Sequence, residues 1–403
     1  MSEPLNTRKT RKSAFMERLL DGVEVEWKTV NEIFHVKNGY TPSKKNKEFW
    51  TNGTVPWFRM EDIRTNGRIL SDSIQHVSEL SIKGGKYFPA NSIIIATSAT
   101  IGEHALITVP YLSNQRFTNL SLKDEFKEIL TPKFLFYYCF KLDDWCRNNT
   151  TIGNFAGVDM VGFKKFPIPI PPLSVQKEIV RILDTFTELT AELTAELTAR
   201  KKQYAYYRDE LLSFESTKDT KSTKNVEWER LGDVITLKRG RRLVRSQLEE
   251  TGTFAVYQNA MTPLGYYHES NVKAYTTFVI CAGAAGEIGF SNVEYWAADD
   301  VHYCLTPDSI NDKFLYYYLL TQKHKILSQV RRASIPRLSK SVIEKLDFPI
   351  PPLEEQQRIV TILDKFDTLT ASISEGLPKE IALRKKQYEY YRELLLTFPR
   401  HEG

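Results

Sequence analysis

The chain repeats itself, and that repeat constrains the fold more than any other feature. Residues 168–184 read IPIPPLSVQKEIVRILD and residues 348–364 read FPIPPLEEQQRIVTILD, an offset of 180. Arg200-Lys-Lys-Gln-Tyr204 returns as Arg384-Lys-Lys-Gln-Tyr388 at an offset of 184, with Tyr206-Tyr207-Arg208 and Phe214 returning as Tyr390-Tyr391-Arg392 and Phe398. The second copy therefore holds four more residues between its landmarks. Whatever supersecondary unit the first copy builds, the second must build again.

The segments ahead of each copy correspond more loosely. Val25-Glu26-Trp27 matches Val226-Glu227-Trp228, and Val36-Lys37-Asn38-Gly39 matches Leu237-Lys238-Arg239-Gly240, both at offset 201. Lys133-Phe134-Leu135 matches Lys313-Phe314-Leu315, and between these anchors the halves diverge almost completely. The order is variable domain, shared helix, variable domain, shared helix. Glu17-Arg18-Leu19-Leu20 ahead of Val25-Glu26-Trp27 also echoes Asp209-Glu210-Leu211-Leu212 ahead of Val226-Glu227-Trp228. This pseudo-cyclic order places residues 13–20 near the end of the C-terminal helix.

The shared segments read as long helices. After Pro171-Pro172, which cannot sit inside a helix, apolar residues recur mostly in steps of four and three: Val175, Ile179, Ile182, Phe186, Leu189, Leu193, Leu197, Tyr204, Tyr207, Leu211 and Phe214. That is the seam of a coiled coil. The second seam runs Ile359, Ile362, Phe366, Leu369, Ile373, Leu377, Ile381, Tyr388, Tyr391, Leu395 and Phe398, with a kink or break expected at Gly376 and Pro378. Two such helices in one chain most simply pack on each other, although each could instead pack on its own domain or on a second chain. Thr190-Ala-Glu-Leu193 recurs at once as Thr194-Ala-Glu-Leu197. A four-residue unit adds about 6 Å of rise and rotates the face by only about 40°, so the tandem suits a spacer.

The variable segments read as mixed α/β domains. Ser92–Ala96, Thr276–Cys281, Pro56–Arg59 and Phe254–Tyr257 are expected strands; Phe134–Cys146 and Phe314–Leu327 are expected amphipathic helices rich in Tyr and Phe. The expected fold class is α+β: two mixed α/β domains joined by two long helices forming an antiparallel intramolecular coiled coil about a pseudo-two-fold axis. The expected boundaries are 1–22 for a basic arm and helix stub, 23–165 for the first domain and 166–214 for the first helical spacer. A linker at 215–224 is followed by the second domain, 225–347, and the second helical spacer, 348–403.

Several function classes lack their signatures. There is no Walker A sequence, and Gly283-Ala-Ala-Gly-Glu-Ile-Gly289, without Lys or Ser/Thr, reads as a tight turn between strands. No Asn/Asp-Pro-Pro-aromatic box, nucleophile elbow or His-Glu-x-x-His helix occurs. Seven scattered histidines and four cysteines without a CxxC pair suggest no metal site, and His302 reads as structural or as a contact to a base edge. No catalytic constellation is evident. No apolar run approaches the roughly 20 residues of a membrane span, and the thiols suit a reducing cytoplasm.

Net charge is only +5, from 55 basic and 50 acidic residues, but its placement is uneven. Lys238, Arg239, Arg241, Arg242 and Arg245 crowd together, and Arg331, Arg332 and Arg337 form a second cluster. Such clusters are either solvated loops or phosphate contacts.

In its doubled Pro-Ile-Pro-Pro-Leu-x-x-Gln motif the chain resembles the specificity subunits of type I restriction–modification enzymes. Gly39-x-Thr-Pro-Ser43, Phe49-Trp50, Pro56-Trp57 and Glu61-Asp62 resemble one class of their target recognition domains. The Thr-Ala-Glu-Leu tandem resembles the IC subgroup. The resemblance spans essentially the whole chain. It implies a non-catalytic subunit in which each recognition domain reads one half of a bipartite, asymmetric site on double-stranded DNA. The helices would set the spacing, with Thr190, Leu193, Thr194 and Leu197 in the ruler, and dock two methyltransferase subunits; two restriction subunits would complete the complex. S-adenosylmethionine, ATP and Mg would then belong to those partners. Base reading needs Arg, Lys, Asn, Gln, Ser or Thr at groove edges. The candidates are Tyr40, Thr41, Ser43, Lys44, Lys45, Arg59, Arg64, Asn114, Gln115 and Arg116 in the first domain. In the second they are Lys238, Arg239, Arg241, Arg242, Tyr257, Gln258, Asn259, Arg331 and Arg332. The second domain lacks Thr-Pro-Ser after Gly240 and is expected to read a different half-site. The alternatives are a coiled-coil interaction scaffold and an orphan or anti-restriction DNA-binding protein.

Overall fold

A computed structural model describes residues 19–20, 22, 24–151, 156–214, 226–372 and 375–399. The chain divides into two compact units, one running to Ala191 and resuming at Ala382, the other comprising Glu192–Ile381.

The first unit is built on a five-stranded sheet in the order Phe34–Asn38, Phe117–Leu122, Ser92–Ala96, His104–Ile107, Ile69–Leu70. Ser92–Ala96 lies at its centre and is buried throughout, as a β-branched run between two layers must be. Successive side chains point to opposite faces. Ile93 and Ile95 join the core under the helix Pro132–Asn148, while Ile94 and Ala96 join a second core with Phe58, Tyr111 and Phe117. A smaller sheet, His76–Val77, Val55–Phe58 and Leu112–Ser113, has an antiparallel pair on one side of its middle strand and a parallel pair on the other.

The second unit has the same plan despite its divergent sequence. Its sheet runs Thr236–Arg239, Val301–Leu305, Thr276–Ile280, Ile288–Ser291, and its smaller sheet runs Gly265–Tyr267, Phe254–Tyr257, Trp296–Ala297. The middle strand of the smaller sheet again has one antiparallel and one parallel neighbour. Gly283 and Gly286, at φ +79° and +91°, make the turn between Thr276–Ile280 and Ile288–Ser291. The first unit adds a helix, Met60–Asn66, and the edge strand Ile69–Leu70.

The matched anchors close each unit. Glu26–Thr29 pairs antiparallel with Pro167–Ile170, and Glu227–Arg230 with Asp347–Ile350, so each Val-Glu-Trp segment meets the Pro-Ile-Pro segment that ends its own domain. Beyond it, Asp184 accepts from Tyr137 Oη at 2.6 Å and pairs with Lys133 at 2.5 Å. Asp364 does the same with Tyr317 at 2.6 Å and Lys313 at 2.7 Å. The last residue of each repeated motif is thus a tie between shared helix and variable domain.

The shared helices are Leu173–Leu211, and Leu353–Ala371 followed by Gly376–Leu395. The second is interrupted where expected: Gly376 adopts φ +71°, and Pro378 falls in the first turn of the following helix, where no N–H is needed. In both units the beginning of one shared helix lies against the end of the other. Phe186 stacks on Tyr391 at 5.2 Å in the first unit, and Phe366 on Tyr207 at 5.6 Å in the second, the same pair with the copies exchanged. Phe134–Phe398 and Phe314–Phe214, both at 6.1 Å, repeat the exchange. Ile179 and Leu183 share a core with Leu395 and Leu396, as antiparallel packing requires. Leu20, 5% exposed, enters that cluster with Leu19 against it, as the pseudo-cyclic order implies; residues 13–18 lie outside the described residues.

Two expectations need correction. Ile179 and Ile359 are fully buried as expected, but the next buried positions are Leu183 and Leu363, whereas Ile182 and Ile362 are half-buried. The start of each shared helix packs on its own domain as well as on the other helix, so its apolar stripe is wider than a two-helix seam. The helix expected over Phe314–Leu327 is two helices, Asp312–Thr321 and Lys323–Ser328, parted at Gln322 (φ −86°, ψ −1°). No helix among the described residues is long and apolar enough to cross a membrane.

Candidate nucleic-acid interface

Each unit sends out a loop where its first long strand ends. Gly39 N–H donates to Phe117 O and Tyr40 N–H to Ser113 O, so the backbone stays pinned to the sheet edge. A Cβ on Gly39 would lie 2.2 Å from Asn114 O, so only glycine fits. Gly240 is in the same position, its Cβ site 2.3 Å from Ala297 O. Tryptophans hold the carbonyls that follow: Trp57 Nε1 donates to Tyr40 O at 3.0 Å, Trp50 Nε1 to Ser43 O at 3.1 Å, and Trp296 Nε1 to Arg241 O at 3.0 Å. The paired tryptophans of the first unit meet edge to face at 5.1 Å.

That loop walls a groove of about 590 Å³ lined by Thr41, Lys44, Lys47, Trp50, Thr51, Trp57, Arg59, Gln75 and Gln115. Four of the sequence candidates, Thr41, Lys44, Arg59 and Gln115, meet there. Thr41 Oγ1 donates to Gln115 Oε1, which leaves that amide its NH₂ donors. Lys45 and Ser43 are exposed on the same loop. Tyr40 is not a free reader: its ring packs beside Trp57, and its hydroxyl donates to Ser81 O and accepts from Lys83 N–H. Asn114 caps its own turn through Arg116 N–H at 3.0 Å, which leaves the Arg116 side chain exposed at that turn. Arg64 lies outside the groove on Met60–Asn66 and pairs with Glu103 at 3.7 Å.

Lys47, Trp50, Thr51, Trp57 and Gln75 are groove residues absent from the sequence candidates. The tryptophans carried a signal in their motif, and Lys47 in its basic neighbours. Gln75 carried none; it arrives because its backbone carbonyl accepts from Trp57 N–H at 3.1 Å.

In the second unit the candidates gather around the end of Phe254–Tyr257. Arg241 N–H donates to Ala297 O, and Ala298 N–H donates to Tyr257 O. Arg239 Nε donates to Asp299 O at 2.7 Å. Lys238, Arg239, Arg241 and Arg242 are exposed. Arg331 and Arg337 exchange backbone hydrogen bonds to form a hairpin, with Arg332 exposed on it. Its Pro336 O accepts from Gly283 N–H, and Asn259 O accepts from Ala284 N–H, so one turn holds both segments. Gln258 is half-buried beside them. Tyr257 packs on Phe278 and Tyr295 at 5.1 and 5.6 Å, and burial raises its hydroxyl pKa.

Polar groups elsewhere belong to the fold. His104 Nδ1 lies 2.6 Å from Asp143 Oδ2, which also pairs with Arg68 at 3.2 Å, and both His104 and Asp143 are fully buried. His302 Nδ1 contacts Cys281 Sγ at 2.5 Å, and burial pushes that thiol up to about 12. Among the described residues no group of three His, Cys, Asp or Glu could hold a metal ion.

The geometry defines a class: a protein of two like-folded, differently surfaced recognition units, each grown on the same helical frame. Residues 22–200 and 225–383 match the type I restriction modification DNA specificity domain, and the chain belongs to that family of specificity subunits. It is 45% identical over 379 residues to the type I restriction enzyme EcoprrI specificity subunit of Escherichia coli, covering 90% of this chain and 92% of that one. With the EcoR124I/EcoR124II specificity subunit of Escherichia coli it shares 31% identity across 96% of this chain and 98% of the relative. The fold matches the S subunit of the type I restriction–modification system from M. genitalium, with TM-score 0.56 at 18% identity over 94% of this chain and 98% of that one. The HsdS subunit from Thermoanaerobacter tengcongensis matches with TM-score 0.51 at 17% identity, over 92% and 95%.

Proposed function

We propose that this chain is the DNA-reading subunit of a type I restriction–modification complex, each unit reading one half of a bipartite, asymmetric site. One observation carries this reading: two units of one topology present different polar groups at the same loop, Thr41 and Lys44 in one against Arg241 and Arg242 in the other. A shared scaffold with unlike edges reads two unlike sequences. Direct readout needs amide, hydroxyl and guanidinium groups at base edges, and lysines such as Lys44 and Lys45 suit phosphates.

The proposed recognition domains are residues 23–165 and 225–347, and the proposed spacers 166–214 and 348–403. Thr190, Leu193, Thr194 and Leu197 act as the ruler, and the shared helices dock two methyltransferase subunits. Two restriction subunits join in the full complex. S-adenosylmethionine, ATP and Mg serve chemistry in those partners, and the complex works in the cytoplasm.

The test is the complex with its methyltransferase subunit, expressed in cells whose methylated adenines are then mapped. A bipartite motif is expected. Exchanging residues 23–165 for another such domain should replace one half-site and keep the other. Loss of both, or change in both, would sink the reading.

A further inference from the structure

Of the basic residues lining the groove, Arg59 has both an aromatic face and a carboxylate partner. It follows the strand Val55–Phe58, and its backbone N–H donates to Asp62 Oδ2 at 2.6 Å. Asp62 is fully buried, and its other oxygen accepts from Ile74 N–H at 2.6 Å, so the base of the side chain is fixed. The guanidinium carbon sits 5.6 Å from the centre of the Trp57 ring, and Nη2 lies 3.1 Å from Glu61. Nε is buried and has no hydrogen-bond partner among the described residues. The side chain is 29% exposed and lines the groove beside Gln75 and Gln115.

We propose that Arg59 is the residue through which the first unit recognises a guanine base; the inference rests on the DNA-reading role proposed above. A planar fork of donors matches the O6 and N7 acceptors of guanine, a pair of adjacent acceptors that no other base presents in the major groove. The aromatic face and the carboxylate hold the fork in one orientation, which a free surface arginine lacks. Glu61 also argues against a phosphate partner, because an anion beside the guanidinium repels the DNA backbone while tolerating a neutral base edge. Lys44 and Lys47, on the same groove, are point charges suited to phosphates. Arg64, 60% exposed and outside the groove, has no comparable setting.

The experiment compares wild type, Arg59→Ala and Arg59→Gln in complex with the methyltransferase subunit. Methylated adenines are mapped in cells, and binding to the resulting motif and to single-base variants is measured across salt concentrations. Wild type should give a bipartite motif with a G·C pair in the half-site that moves when residues 23–165 are exchanged. Arg59→Ala should lower discrimination at that pair by roughly 5- to 150-fold, with the other half-site intact and the salt slope unchanged. Arg59→Gln, which keeps a polar chain if the alanine variant misfolds, should also relax that position, with preference turning toward adenine. An unchanged motif in the variants overturns the proposal. So does uniform weakening across sequences with a salt slope reduced by about one, the mark of a phosphate contact. A wild-type complex with no bipartite motif would instead overturn the DNA-reading role itself.

Discussion

Gln176 Oε1 accepts the backbone N–H of Thr131 at 2.9 Å, joining the repeated motif to the first residue of the domain's aromatic helix turn. The same amide donates to Ile129 O at 2.7 Å and Pro171 O at 2.8 Å, and the residue is fully buried. Gln356 repeats the arrangement with Asn311 N–H at 2.8 Å, Ser309 O at 3.0 Å and Pro351 O at 2.9 Å. One amide thus satisfies three backbone groups in each copy, and its bond to the proline carbonyl is fully buried. Gln176→Leu should cost about 1–3 kcal/mol, the penalty for orphaning one buried polar group. Hydrogen exchange should show faster opening around residues 129–135. Gln356→Leu should do the same around 309–315, and unchanged exchange in either would refute the role.

Deleting Thr194–Leu197 removes one repeat from within the continuous helix Leu173–Leu211. Leu193 and Leu197 are only half-buried and Thr194 is exposed, so little packing is lost. The helix shortens by about 6 Å with the following face turned by about 40°. Methylome mapping should show both half-site sequences retained and the gap between them altered.

Gly39→Ala and Gly240→Ala each place a methyl group within 2.3 Å of a backbone oxygen. Overpacking of this kind costs about 1–3 kcal/mol. Each variant should lower the thermal midpoint and weaken DNA binding by the half-site of its own unit, leaving the other half-site's base preference intact. Wild-type stability for both would show that the loop exit can shift.

His302 has its imidazole pKa lowered, first by burial and then by Arg239 and Lys340, with Glu344 acting weakly the other way. A histidine depressed in the folded state contributes stability that is full above its unfolded value of about 6.5 and is lost as pH falls toward the folded value. His302→Gln should therefore show a shallower loss of stability below about pH 6.5 than wild type. Parallel stability curves for the two proteins would rule the residue out.

The repeated motif announced its own architecture because its signals are local. Pro-Pro ends an extended segment, apolar steps of three and four follow, and Gly376 with Pro378 marks a break. The antiparallel exchange of Phe186–Tyr391 and Phe366–Tyr207 follows from two equal seams in one chain. What the periodicity did not carry was which of two neighbouring apolar residues turns inward: Ile182 and Leu183 are equally greasy, and the packing of the Pro132–Asn148 helix chose Leu183. Likewise Asn114, Tyr40 and Tyr257 have the side chains of base readers, yet turn capping, a carbonyl partner and a buried ring pair engage them instead.

The sequence by itself determined that the molecule is made twice on a helical frame, because repetition, helical period and proline punctuation depend only on neighbours along the chain. Only the tertiary structure decided that two nearly unrelated variable segments share one sheet order, and that Arg59, Gln75 and Gln115 meet in one groove. Those residues are separated by up to 56 positions, and their meeting depends on strand pairing across the sheet, where register rather than spacing sets which side chains are neighbours.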